Sequence, residues 1–475
     1  MMDQSDYLSH DATGLAALVR KGEIAPHELT AAARARHDAV NPALNAVIEF
    51  YDDAETLPDG TGPFGAVPFL RKDIGATEAG RLQECGSRLL RGNRSDHDGH
   101  FITRARSAGL KIVGRSAVPE FAFSGFTETL LHGITRNPWA PDRTAGGSSG
   151  GAASAVAAGI VPIAHASDGG GSIRIPAACC GLVGLNPSRG RVSGGPDGQD
   201  ALFGLARAFV LCRTVRDMAL ALDVFSGPEA GDPFLIPPPA RPFLAELAQP
   251  APRLRIGIAR SAWGAIALDP EVLATLDATA ATLSALGHGI EEIASPVDPE
   301  DIATGVMGAF NLGLATLPAL ARKLGRPLDD STLEPVTLRL LEQTLAMTPA
   351  DIMQVFETLR RVRLEIATRT AGYDVLLTPT LPVTAPEHGL FATTRPDLTA
   401  AGYGQGDTSL FTYLGPFNVT GQPSVSLPLG QSAAGMPIGI QIVGPFAGEA
   451  LLLRLARDLE QAMPWAARRP PLATA

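Results

Sequence analysis

Two glycine-rich loops carry serines at positions suited to acyl transfer. They are Ala145-Gly146-Gly147-Ser148-Ser149-Gly150-Gly151 and Ser167-Asp168-Gly169-Gly170-Gly171-Ser172-Ile173-Arg174-Ile175-Pro176. Ser148 and Ser172 lie 24 residues apart with an apolar segment between them, and each loop runs into a helix-forming stretch. Loops of this kind leave backbone N–H groups free to face a developing negative charge. The pattern points to cleavage of amide or ester bonds by a serine nucleophile.

A serine hydroxyl attacks only weakly until a base takes its proton. His132, His165, His288 and His388 are scattered, and only His165 lies near a serine loop, in a strand-like segment. Lysine is the other candidate. The chain has only Lys21, Lys72, Lys111 and Lys323 and otherwise carries positive charge on arginine, which keeps its proton. Lys72 follows an apolar run, Gly65-Ala66-Val67-Pro68-Phe69-Leu70, where burial would lower its pKa. Bringing it from about 10.4 to 7–8 takes roughly 4 kcal/mol of differential desolvation. The local sequence by itself favours a plainer alternative, a surface lysine paired with Asp73.

Two other chemistries compete for the same loops. The first loop satisfies G-x-S-x-G centred on Ser148 or Ser149, as in the nucleophile elbow of a Ser-His-Asp hydrolase, with Asp374 and His388 as downstream partners. That reading leaves the second loop without a role. A phosphate cradle fails because Gly151 is followed by Ala152-Ala153 rather than Lys and Ser or Thr. The triple glycine also lacks the third glycine of a dinucleotide fingerprint.

The stretch Gly65-Ala66-Val67-Pro68-Phe69-Leu70-Arg71-Lys72-Asp73, the first serine loop and residues 168–177 together resemble the amidase signature family in order and spacing. Asn137-Pro138-Trp139, Gly190-Arg191-Val192-Ser193 and Phe417-Asn418-Val419-Thr420-Gly421-Gln422-Pro423 extend the resemblance over almost the whole chain. It implies that Ser172 is the acyl-forming nucleophile. Ser148, entered by a cis peptide bond from Gly147, would relay its proton to neutral Lys72. It also implies an oxyanion hole from the amides of Gly169, Gly170, Gly171 and Ser172, with no metal or organic cofactor. Ser149 would orient Lys72, and an Asp168–Arg174 pair would brace the loop.

Two departures stand out. Gly169 replaces a common Thr, which predicts a looser loop. Asn186-Pro187-Ser188 replaces a frequent Lys-Pro-Thr, a matter of packing rather than chemistry. The stretch Gly435-Met436-Pro437-Ile438-Gly439-Ile440-Gln441 is similar to branches acting on aminohexanoate oligomers, such as 6-aminohexanoate-cyclic-dimer hydrolases, and on aryl or alkyl amides. The amidase components of tRNA-dependent amidotransferases belong to the same family, so that role is the alternative function.

Phe121, Phe123, Phe126, Leu130 and Leu131 form an apolar cluster that reads mainly as core. Phe123, Gly125 and Phe126 are candidates to line an acyl pocket. Met307, Phe310, Leu312 and Phe411 are weaker candidates of the same kind, and Cys179-Cys180 read as small buried hydrophobes.

To position these loops, apolar runs predict strands over 45–50, 65–70, 110–113, 160–164, 181–185, 254–259, 374–377, 423–427 and 438–443. Helical periodicity predicts helices over 12–21, 26–39, 97–108, 151–158, 270–286 and 449–462, with a mostly helical region over 299–370. The expected fold is α/β: a single large domain over 1–475 with a mixed β-sheet covered by helices on both faces. Its signature core spans about 60–226, and a proline-rich connector at about 227–252 stays within the same domain, because strands on both sides need partners.

The net charge of −10 argues against a nucleic-acid footprint. The acidic first residues do not read as a signal peptide, and the long uncharged stretch over 144–164 is broken by Pro162, unlike a membrane span. Four cysteines without a CxxC pair give no disulfide framework. These features predict a cytoplasmic enzyme acting on a small-molecule amide, without nucleic-acid or membrane partners, and leave a homodimer open.

Overall fold

Apolar runs without polar alternation are the mark of strands buried on both faces, and here they assemble into one large sheet. The computed structural model describes residues 2–474. Its strands are β1 (Val47–Phe50), β2 (Pro68–Lys72), β3 (Lys111–Ser116), β4 (Glu128–Thr129), β5 (Gly133–Ile134), β6 (Ile163–Asp168) and β7 (Val183–Asn186). They continue with β8 (Arg207–Cys212), β9 (Arg255–Ile258), β10 (Gly289–Glu292), β11 (Val375–Pro379), β12 (Ser424–Gln431) and β13 (Pro437–Val443).

Eleven strands form the sheet in the order β1-β3-β2-β6-β8-β7-β12-β13-β11-β9-β10, while β4 and β5 make a separate short hairpin. The sheet is mixed: β3-β2-β6 and β11-β9-β10 run parallel, and the strands between them pair antiparallel. The pairing of β7 with β12 joins the segments before and after the proline-rich connector, Ser424 facing Asn186. One sheet therefore crosses the connector, and helices flank it in a single domain.

Most predicted elements are present, with instructive shifts. The strand expected over 160–164 is β6, which starts at Ile163 and runs on to Asp168. β8, β10 and the helix Val215–Phe225 were not anticipated. The expected region 299–370 is a chain of helices, and its first part, 299–324, has the length and composition of a membrane span (26 residues, mean hydropathy 1.4). That apolarity serves the interior: Ile302, Val306, Ala309, Leu314, Leu317 and Ala321 are buried in core clusters.

The helix Gly150–Ala157 is entirely buried and built of small residues. At Gly151 a Cβ would stand 2.3 Å from the Ala117 backbone nitrogen, so only glycine permits this approach to the end of β3.

Candidate active site

Lys72 is the last residue of β2 and is fully buried. Its Nζ donates to Ser148 Oγ at 2.7 Å and to Ser167 Oγ at 3.0 Å. Asp73 does not pair with it. That carboxylate accepts from Arg115 Nη1 at 2.9 Å and from the amides of Glu84 and Gly86, and Arg115 also binds Glu84 and Glu49. The surface-lysine alternative is thereby removed: Arg115 takes the carboxylate, and Lys72 keeps two hydroxyls. Burial lowers its pKa to about 7, against a smaller opposing pull from Asp168.

His165, also fully buried on β6, is held neutral by burial and by the neighbouring Lys72 and Arg71 charges. Its Nδ1 accepts the Lys72 backbone N–H at 3.3 Å, so it packs beneath the lysine.

The Gly147–Ser148 peptide is cis, and Ser148 Oγ lies against Lys72. Ser149 stands elsewhere than expected. Its hydroxyl donates to the Ser167 carbonyl and accepts the Ser167 amide, both at 3.3 Å, because the next residue of a tight turn points away from its neighbour's partner. The second hydroxyl on Lys72 is Ser167, which sequence reasoning missed. The signal for it is alternation on β6: His165 and Ser167 point to one face of the strand, the one toward Lys72. Ser172 follows the third glycine, borders the same cavity as Ser148, and its hydroxyl makes no hydrogen bond among the described residues.

Asp168 organises the second loop. Its Oδ1 accepts the Gly171 amide at 2.7 Å, its Oδ2 accepts the Ile173 amide at 3.1 Å, and Arg174 spans both oxygens at 2.9 Å. Burial opposes this charge, but Arg174, Asn418 and the Ile173 amide outweigh it and hold the carboxyl at about 2. Arg174 reaches further, to Gln441 Oε1 on β13 at 2.8 Å and to Asn418. The expected brace is present and extends into the last third of the chain.

It also corrects the expected donor set. The Gly171 N–H points at Asp168 and is not free for a substrate oxygen. The amides of Gly169, Gly170 and Ser172 make no hydrogen bond among the described residues. At Gly169 a Cβ would meet Leu202 Cδ1 at 2.8 Å and Phe310 Cζ at 3.0 Å. The space of the missing side chain is thus occupied by two apolar groups, which limits the looseness expected there.

Two cavities meet at Ser172. The larger, about 410 Å³, is bordered by Ser148, Ser167, Ser172, Phe123, Leu202 and Phe310. The smaller, about 50 Å³, is bordered by Phe123, Gly125, Gly170, Ser172, Phe310 and Phe411. Phe123 and Gly125 therefore border a cavity that Ser172 also borders. Phe126 does not: it is fully buried in the core, packed near Phe391 and Phe411, and borders neither cavity. Met307 joins the smaller cavity, while Leu312 only packs at the edge of a core cluster.

The expected Ser-His-Asp partners, His388 and Asp374, bind other groups. His388 sits against Glu128 Oε1 and the Pro141 carbonyl beside a different cavity, and Asp374 caps the Arg255 amide on β9. Asn186 is buried in β7 and borders neither site cavity, in keeping with a packing role. Cys179 and Cys180 are buried on the helix Arg174–Cys180, their thiols pushed up by burial.

A family model described as amidase matches residues 28–453. The chain belongs to the amidase family. It is 38% identical over 485 aligned positions to the 6-aminohexanoate-cyclic-dimer hydrolase of Paenarthrobacter ureafaciens, covering 98% of this chain and 97% of that one. A solved structure of 6-aminohexanoate cyclic dimer hydrolase complexed with substrate superposes with a TM-score of 0.91 at 36% identity, covering 98% of this chain and 99% of that one. A solved bacterial aryl acylamidase of the amidase signature family superposes with a TM-score of 0.87 at 26% identity, covering 98% of each chain. As an amidase-family member, the chain is an amidohydrolase acting on carbon–nitrogen bonds.

Proposed function

We propose that this amidase hydrolyses a small linear or cyclic carboxamide through a Ser172–Ser148–Lys72 relay and an acyl-enzyme. The observation that carries the reading is the buried Lys72 amine, 2.7 Å from Ser148 and without a carboxylate partner among the described residues. A lysine so placed is neutral at mildly alkaline pH and can accept a proton.

Ser172 Oγ attacks the carbonyl carbon, its proton passes to Ser148 Oγ, and the Ser148 proton passes to Lys72 Nζ. The carbonyl oxygen gains negative charge opposite the amides of Gly169, Gly170 and Ser172, each such donor being worth about 3–4 kcal/mol of barrier. Collapse breaks the C–N bond, and the leaving nitrogen takes the proton back along the same path. Water then attacks the ester carbonyl by the reverse route, freeing the acid and restoring Ser172.

The test is a screen of simple amides with the purified chain alone, alongside Ser172→Ala and Lys72→Ala. Both variants should lose turnover by about a thousandfold or more. Near-wild-type rates in either would end the relay reading. Turnover that needs added partner proteins would favour the amidotransferase role.

A further inference from the structure

Two polar groups on the cavities that meet at Ser172, one buried and one half-buried, take no part in this chemistry. Arg207, at the start of β8, borders the larger cavity and is 5% exposed. Its Nη2 donates to the carbonyls of Phe417 at 3.3 Å and Asn418 at 3.1 Å, while Nε and Nη1 are buried without a partner. Burial, then the nearby Arg189 charge, lowers its pKa to about 9, which still leaves a cation at neutral pH. Arg189 borders the same cavity and donates only to backbone carbonyls. Among the described residues neither arginine has a carboxylate partner. A desolvated guanidinium with idle N–H groups is costly until an anion takes them, and its planar fork matches a carboxylate.

The smaller cavity has the opposite polarity. Asp407 borders it, half-buried as a residue but with Oδ1 enclosed and unpartnered. The Gly125 backbone amide lies against the carboxyl, and burial raises its pKa to about 7. No cation pairs with it among the described residues. An ammonium group placed there would find a carboxylate ready to ionise.

We propose that the site is built for an amide with an ammonium on its acyl side, held by Asp407, and a carboxylate on its amine side, held by Arg207. Such a molecule is a linear oligomer of an amino acid laid across Ser172. The inference rests on the hydrolase reading for which bond is cut. The orientation follows from the cavities: the acyl piece stays bound through the first half-reaction, and the departing amine needs the larger space, which reaches exposed groups such as Asp197.

The test is calorimetric binding to the Ser172→Ala protein, which needs no turnover. The ligands are 6-aminohexanoyl-6-aminohexanoate, its N-acetyl form, its C-terminal carboxamide and the doubly blocked form. Each free end should tighten binding by about tenfold or more. Arg207→Gln should abolish only the gain from the carboxylate, and Asp407→Asn only the gain from the ammonium. The ligand comparison on Ser172→Ala alone stands even if a second substitution unfolds the chain. Four ligands within about twofold of one another, or losses falling on both ends alike, would overturn the proposal. Hydrolysis of simple amides without end preference would leave the hydrolase reading standing and remove this one. Failure to hydrolyse any amide would do the reverse, if the binding pattern held.

Discussion

Arg71 and Lys72 are consecutive, fully buried cations on β2, and they have opposite surroundings. Arg71 Nε donates to Glu78 Oε2 at 2.9 Å and to Tyr51 Oη at 2.8 Å, and its Nη2 donates to the Leu82 carbonyl. Lys72, on the other face of the strand, meets two serine hydroxyls. One step along a strand reverses the side chain, and here it moves a basic group from a carboxylate partner to two serine hydroxyls. The difference teaches that a buried positive group is structural or chemical according to its partners, and according to whether it can give up a proton.

The most damaging way to break this contrast is to make Lys72 like its neighbour. Lys72→Arg should keep the fold and lose activity by about a thousandfold, since a guanidinium does not act as a base. Circular dichroism with steady-state rates checks both halves. The next effect needs no mutation. Below about pH 7 Lys72 binds a proton and the base is lost, so kcat/KM should rise about tenfold per pH unit up to that point and level off above it. A rate that is flat from pH 5 to 9 would contradict a lysine base.

Smaller effects sharpen the comparison. Ser167→Ala removes one of two hydrogen bonds on Nζ and should slow turnover by about fivefold, in line with about 1 kcal/mol for the bond. Ser149→Ala, which touches only the Ser167 backbone, should cost less. The smallest effect on rate belongs to Arg71→Lys. Here the loss should appear in stability, about 2 kcal/mol by denaturant unfolding, because one ammonium cannot serve Glu78, Tyr51 and the Leu82 carbonyl together. The acid limb of its pH profile should stay near that of the parent.

The parts of the site legible in the sequence are those that local backbone demands reveal. Glycines cluster where a turn or close approach excludes side chains, which marks both serine loops, and a long apolar run exposes β2 and its terminal lysine. β8 carries an apolar run of the same kind, Ala208-Phe209-Val210-Leu211. What remained hidden depends on contacts between distant segments. Asp73 is claimed by Arg115, 42 residues away. The Gly171 amide turns to Asp168 only because the loop is wound around that carboxylate. Phe126 and Phe123 look alike in sequence, yet one is sealed in the core and the other faces the cavities. Leu202 and Arg207 border the larger cavity at Ser172 and Asp407 borders the smaller one, and no spacing rule connects them.

The reach of Arg174 to Asn418 and Gln441 has a consequence for any attempt to shorten the protein. The serine loop is clamped from behind by residues encoded some 240 positions downstream. A fragment ending at the proline connector would contain Lys72, Ser148 and Ser172, the side chains of the proposed relay, and still lack the outer half of that clamp. The brace behind the second serine loop is therefore complete only with the C-terminal strands in place.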